Sequence, residues 1–279
     1  MKKLSYLMLS LLAVITYGCA EFEQPYVGYI VVERAVVEAS GNSITITADT
    51  DLSSPIIMEV VGDAADWCTV TANGKEITAT ATKPNTSATY RTATVNVRCG
   101  YRQTSFTVLQ KYEGQQYLQY DWTKWSATGS DVEASDGGGY PSLFTESRGE
   151  FWHSQYSGGN APLPHYLIID MKKELACYKF EIGRRLAGSN NYPSVKTMEI
   201  YASNDSENFT NKVGGFTFAL PWTAPNGTVV NGNSPLVPGF EEITLTEPIT
   251  ARYIKLVITE TNNTTGVAQV SYFKAYEKI

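Results

Sequence analysis

Residues 151–170 read Phe151-Trp152-His153-Ser154-Gln155-Tyr156-Ser157-Gly158-Gly159-Asn160-Ala161-Pro162-Leu163-Pro164-His165-Tyr166-Leu167-Ile168-Ile169-Asp170, and they join a polar, aromatic loop to an apolar strand. Leu167, Ile168 and Ile169 form a short apolar run closed by Asp170, the pattern of a buried strand. Ser157 to Pro164 is rich in breakers and reads as loop. Both histidines of the protein lie in this stretch. Binding residues concentrate on loops held by a rigid sheet, and Trp152-His153 with Tyr156 offers flat apolar faces beside a ring nitrogen able to donate or accept. A site is expected here.

Working outward, 279 residues suffice for two ordinary domains, each with room for a core. The formal charge is 22 − 28 = −6. Nucleic acid is set aside as a partner, since binding a phosphate backbone rests on clustered Lys and Arg. Charged residues make up only 18% while Thr, Ser, Gly, Asn and Tyr abound, the profile of an extracellular β protein. The expected fold class is all-β.

The N-terminus reads as a targeting signal. Met1-Lys2-Lys3 supplies positive charge, Leu4 to Ile15 is an apolar core too short for a mature membrane span, and Thr16-Tyr17-Gly18-Cys19 follows. It resembles a bacterial lipoprotein signal of residues 1–18, cleaved before Cys19, which then carries the lipid. Thr16 stands where that family prefers Leu, and Tyr17 where it prefers a small residue. The alternative is an ordinary secretory peptide whose Cys is incidental. Loss of Lys2 and Lys3 leaves 20 − 28 = −8. Cys68, Cys99 and Cys177 have no metal-type spacing. Cys68 and Cys99 are candidates for a bridge across a sandwich; otherwise all three are small buried side chains.

Residues 19–29 lack periodicity and read as a tether. Beyond them Ile44-Thr45-Ile46-Thr47, Ile77-Thr78-Ala79-Thr80, Ala93-Thr94-Val95-Asn96-Val97 and Phe106-Thr107-Val108 alternate, with turns such as Asn73-Gly74 between them. This spacing predicts a small antiparallel sandwich. Trp67-Cys68-Thr69-Val70, Asn85, Tyr90-Arg91-Thr92-Ala93-Thr94-Val95 and Thr107-Val108-Leu109-Gln110 resemble the BACON family of immunoglobulin-like modules found in Bacteroidetes surface proteins. The family's earlier Trp is here Ile57 or Met58. The resemblance covers residues 30–112. Trp67 and Tyr90 are potential sugar platforms, but aromatics in alternating strands are usually core, and the module is read as a spacer.

A polar linker, residues 113–120, leads to a second module over residues 121–279. Its strand candidates are Tyr166 to Asp170, Cys177 to Ile182, Thr197 to Ala202, Glu242 to Leu245, Tyr253 to Ile258 and Val270 to Tyr276. Trp125-Ser126-Ala127, Trp152-His153-Ser154, Pro164 to Asp170, Phe180-Glu181-Ile182-Gly183-Arg184, Glu199 to Ser203 and Ala251 to Leu256 occur in the order of the discoidin, or coagulation factor five/eight type C, family. The module resembles that family, which implies a galactose-binding-like jelly-roll β-sandwich.

The resemblance implies structural roles for Trp152, Asp170, Arg252 and Tyr253, and glycan binding by loops at one end of the sandwich. His153 and Tyr156 match the spacing of a His and an aromatic in galactose-binding relatives. Arg184 or Arg185 follows the next motif, and Asn190 and Asn191 lie in the loop after it. Trp222, in the turn-rich segment from Phe216 to Pro238, is either a further platform or packs on the sandwich wall. A sugar's C–H face buries against a flat ring, while its hydroxyls need the planar donor fork of Arg and the mixed donors and acceptors of His and Asn. The other reading has His153 capping the loop, Tyr156 packing under it and an Arg pairing with a surface acid.

The family often holds one structural calcium, through an Asp-Gly turn before the Trp and a Glu on the last strand. Here the turn reads Leu143-Phe144-Thr145-Glu146-Ser147-Arg148-Gly149-Glu150 and the strand has Tyr272. Arg148 opposes a cation. Asp136-Gly137 is the possible substitute, and no metal or other cofactor is expected.

The expected function is a non-catalytic, lipid-anchored carbohydrate-binding protein of the outer membrane or cell surface, acting in a glycan-utilisation complex and touching the membrane only through its anchor. The alternative is an adhesion or assembly protein gripping a protein partner with the same loops. No Ser-His-Asp or metal-His signature supports an enzyme.

Overall fold

The computed structural model describes residues 27–186, 193–232 and 234–279. Two compact units divide between Glu113 and Gly114.

The first unit contains β1 (Ile30–Val31), β2 (Ala35–Val37), β3 (Ser43–Thr47), β4 (Asp49–Thr50), β5 (Ile56–Val60), β6 (Cys68–Asn73), β7 (Glu76–Ala81), β8 (Arg91–Cys99) and β9 (Arg102–Gln110). One sheet runs β2-β9-β8-β5, a second runs β3-β7-β6, and β1 pairs with β4. Alternation decides the packing. Ala93, Val95, Val97 and Cys99 point inward along β8, and Ile77, Ala79 and Ala81 along β7, so both sheets feed one core. Trp67 is buried there beneath the Arg91 guanidinium, 4.4 Å from the ring centroid, whereas Tyr90 is exposed, against the expectation that it is core. Cys68 and Cys99 lie in different sheets, as a bridge across the sandwich needs, but both are free thiols and the candidate bridge is absent; with Cys177 they are buried small side chains.

The second unit contains β10 (Tyr117–Gln119), β11 (Ser126–Gly129), β12 (Trp152–His153), β13 (His165–Gly183), β14 (Val195–Ser203), β15 (Asn211–Thr217), β16 (Trp222–Thr223), β17 (Val229–Val230), β18 (Phe240–Thr261), β19 (Gln269–Val270) and β20 (Phe273–Lys278). The main sheet runs β10-β20-β13-β18-β14-β15, with β11 also on β13, while β12 pairs with β19 and β16 with β17. Four expected strands are in fact two. Residues 166–170 and 177–182 join in β13, and residues 242–245 and 253–258 join in β18. The long strands stay paired through register shifts between Asp170 and Leu175 and between Cys177 and Lys179, and Lys172 in the first shift has a positive φ of 70°. Such bulges bend a strand without ending it. The expected strand from Val270 to Tyr276 is instead interrupted between β19 and β20. The core closes on Trp152, Leu167, Ile169, Phe180, Ile254, Leu256 and Phe273, all fully buried.

Asp170 has the structural role assigned to it. It takes the Arg252 fork at 2.9 and 3.1 Å and the Lys172 amide at 2.8 Å. Burial alone would raise its pKa, but Arg252 and Lys172 outweigh that and bring it down to about 2. Trp152 is likewise structural, donating its indole N–H to the Asp131 carbonyl at 2.9 Å.

Candidate functional site

β12 is only two residues long and delivers the chain into the loop that carries Tyr156. Glu133 shapes that loop. Its carboxylate is buried and accepts the backbone amides of Tyr156 (3.1 Å) and Ser157 (2.9 Å) together with the hydroxyls of Ser135 and Ser157. Those donors, Ser135 first and Ser157 next, hold its pKa far below the usual carboxylate value. Asp131 anchors the same loop from below, accepting the Gln155 amide at 2.8 Å and His165 Nδ1 at 2.9 Å. His165 is completely buried and its Nε2 meets the Gly266 carbonyl at 2.8 Å.

On this base stands a row of rings. Tyr156 is 41% exposed and its ring lies 4.8 Å from that of His153, edge to face. His153 contacts Phe151 at 6.2 Å, and the Arg185 guanidinium stacks 3.9 Å above Phe151. Arg185 is half-buried, and its Nε is buried without a hydrogen-bond partner. Burial lowers its pKa, and the charge of Asp136 pulls the other way. Asp136 lies near enough to act on Arg185 through its charge, on a turn held close by Gly137. A Cβ at Gly137 would meet the Phe151 carbonyl at 2.3 Å, and φ there is 87°.

His153 does not offer a hydroxyl contact, which corrects the expected role. It is buried, its Nδ1 donates to the Ser154 carbonyl at 2.6 Å, and its Nε2 accepts from the Gln269 amide at 2.8 Å. Burial keeps its pKa low, and the imidazole is the wall behind Tyr156. Arg184 is corrected too. It is buried, donates to the carbonyls of Pro238 (3.0 Å) and Phe240 (3.2 Å), pairs with Glu241 and stacks 4.2 Å from Phe218. Trp222 is partly buried against Phe218, with centroids 5.6 Å apart, so it packs on the wall while keeping part of its ring exposed. Asn190, Asn191 and Cys19 lie outside the described residues.

Asn262 gathers the loops at this end. Its side chain accepts the Leu220 amide at 3.1 Å and donates to the carbonyls of Pro193 and Phe218, both at 2.9 Å. Its own amide reaches the Ser194 carbonyl at 2.8 Å, and Ser194 Oγ accepts the Gln269 amide at 2.9 Å. Gln269 then reaches His153, so the Trp222 and Tyr156 loops are linked by one hydrogen-bonded chain.

A family model of the F5/8 type C domain matches residues 123–273. The chain belongs to the F5/8 type C family. A second model, BACON, described as a putative N-terminal binding domain, matches residues 58–111. Among solved structures, the chain is similar to the family 32 carbohydrate-binding module of C. perfringens NanJ in complex with galactose, at 21% identity, covering 58% of this chain and 99% of that one with a TM-score of 0.44. The C-terminal domain of a chitobiase from Bacteroides fragilis is 26% identical over 58% of this chain and 99% of that one, with a TM-score of 0.43. A SusE-like protein is 17% identical over 90% of this chain and 97% of that one, with a TM-score of 0.44. No curated protein matches the chain.

The calcium of the F5/8 type C family does not fit the residues present. The Tyr272 phenol donates to Glu181 at 2.7 Å, Thr145 Oγ1 donates to the Ser142 carbonyl at 3.0 Å, and Glu146 pairs with Lys274 at 3.3 Å. Arg148 turns its guanidinium onto the carbonyls of Arg184 and Arg185. Among the described residues no group of His, Cys, Asp and Glu is arranged to hold a metal ion, whereas calcium takes six to eight oxygens.

Sequence reasoning missed Glu133 and Gln269, and it weighed Asp136 and Arg148 only against calcium. The nearby Ser135, two residues on, is the one local signal for Glu133; its other donors, from Tyr156 and Ser157, are more than 20 residues away and come to it only once the loop is folded.

Proposed function

We propose that the protein is a lipid-anchored, non-catalytic carbohydrate-binding protein of the cell surface, in which the F5/8 type C domain captures a glycan and the BACON-like module spaces it from the membrane. The observation that carries this reading is the exposed Tyr156 ring at one end of a row that runs through His153 and Phe151 to the half-buried guanidinium of Arg185. A pyranose laid on Tyr156 buries its C–H face, and its hydroxyls meet donors from Arg185 and an acceptor in Asp136. Trp222 is a second, smaller platform. Arg184 and His153 hold these groups in place. Asn190 and Asn191 are proposed as additional hydroxyl partners from the loop that follows Arg185, and Cys19 as the lipid-bearing residue. Binding is expected to be independent of calcium, because the charge a calcium cage needs is missing.

A glycan array probed with the soluble chain from Glu21 onward tests the reading, with galactose as the first sugar to titrate. Capture of a defined neutral glycan, lost in Tyr156→Ala, supports it. Capture of none, with the second unit folded, sinks it and favours a protein partner at the same loops. Metabolic labelling with a palmitate analogue tests Cys19, since Cys19→Ser should abolish incorporation.

A further inference from the structure

We propose that Arg148 is a positioning residue, a built-in cation that holds the strand end bearing Arg185 where the ring row needs it. The proposal rests on the reading of Arg185 as a binding residue, and the experiment below separates the two.

β13 ends at Gly183, and the Arg184 amide makes one more bond, to the Gly239 carbonyl at 2.8 Å. Beyond that point no ladder partner remains for the carbonyls of Arg184 and Arg185, and acceptors near the interior must find donors. Arg148 supplies them. Its Nε donates to the Arg184 carbonyl at 2.7 Å and its Nη2 to the Arg185 carbonyl at 3.2 Å, while its own carbonyl takes the Leu186 amide at 2.8 Å. Three consecutive residues are thus fastened to one. Among the described residues no carboxylate pairs with Arg148: Glu146 is on Lys274 and Glu241 on Arg184. Its charge is spent on the two carbonyl dipoles, which makes these bonds charge-assisted.

Space is reserved for this arrangement. Gly239 lies against the guanidinium, and a Cβ there would come within 2.8 Å of Nη1. A cation on successive backbone carbonyls is what a bound calcium would otherwise supply. Here the cation is covalently attached, so the site is formed at any metal concentration. Because the Arg185 carbonyl is held, its side chain leaves the backbone in the direction that lays it on Phe151.

The test uses the soluble full chain from Glu21 onward. In the parent, the Arg185 Nε–H resonance, assigned by its loss in Arg185→Lys, should be displaced upfield by the Phe151 ring current. In Arg148→Ala that displacement should vanish and galactose affinity should fall about tenfold, one orienting interaction's worth. Millimolar methylguanidinium should restore both, calcium chloride neither, and Arg148→Lys, which keeps the charge but loses the fork, should lie between. An undisplaced resonance in the parent, a displaced one surviving in Arg148→Ala, or recovery with calcium would overturn the proposal. If Arg148→Ala fails to fold, the resonance in Arg148→Lys decides: shifted toward the undisplaced position supports the proposal, unchanged from the parent overturns it. If the parent ignores galactose, the sugar reading suffers while the resonance still decides the role of Arg148.

Discussion

Replacing Tyr156 by Ala removes the platform and leaves the scaffold under it, because the loop is held through the backbone by Glu133 and Asp131. The ring is 41% exposed, and an aromatic side chain of about 200 Å² then leaves roughly 80 Å² for a sugar to cover. Covering half to all of that at about 25 cal/mol per Å² is worth about 1 to 2 kcal/mol, or roughly a five- to thirtyfold rise in Kd. A single shallow site should start from a Kd on the order of 0.1 to 1 mM, with avidity from many anchored copies. Calorimetric titration against the array-identified glycan measures the change, with near-ultraviolet circular dichroism as the folding control. Tyr156→Phe should bind nearly as the parent does, and Tyr101→Ala, at a fully exposed residue of the first unit, should change nothing. A folded Tyr156→Ala that binds like the parent would refute the reasoning and move the platform to Trp222.

His153→Ala should lower the melting temperature of the second unit rather than remove a ligand contact, since it strands the Ser154 carbonyl and the Gln269 amide at a cost of about 1 to 3 kcal/mol; thermal unfolding monitored by Trp fluorescence reads it. Arg184→Ala leaves Glu241 and two carbonyls without their donor, and should cost about 3 kcal/mol, or roughly 6 to 12 °C in Tm for a domain of this size. The Asp170 carboxyl has a folded pKa depressed to about 2, so its contribution is complete above the unfolded value of about 4 and is lost as pH falls from about 4 to about 2. With Arg252 40% exposed we take that contribution as about 1 kcal/mol after screening, and the parent's stability advantage over Asp170→Asn in urea titrations should disappear across that window. Differential scanning calorimetry of the whole chain should show two transitions, each reproduced by its isolated half; a single transition lost on cutting at Gly114 would mean a shared core.

The fold was legible because alternation is a strong signal when one sheet face is buried and the other is wet. Residues 77–80 and 93–97 each carry that signal intact, while residues 166–170 carry the other strand signal, a short apolar run closed by a polar residue. The boundaries were less legible. Lys172-Lys173-Glu174 and Glu247-Pro248 look like turns, yet the chain crosses them as bulges or bends inside β13 and β18. A strand ends only when its partner ends, and a polar tripeptide does not say where the partner lies. The break between β19 and β20 was hidden for the converse reason, since Ser271 and Tyr272 are buried and look continuous with their neighbours.

The site shows a sharper limit. Sequence gives what a side chain is able to do, and the structure decides whether that ability is already used. His153, Arg184 and Arg185 are equally apt for a sugar by type. His153 has spent both ring nitrogens and Arg184 has spent its fork on two carbonyls and Glu241, whereas Arg185, one residue further along, is half-buried with its guanidinium stacked on Phe151. The spent residues still matter, because a weak ligand rewards groups that are held in place beforehand. His153 backs Tyr156, and Arg184 stacks on Phe218, which in turn carries Trp222. On the proposed reading, polar residues at this end divide into those that bind and those that hold the binders still. That division rests on hydrogen-bond partners such as Glu133 and Gln269, which lie 20 and 116 residues from His153 in the chain, so no local pattern around His153 carries it.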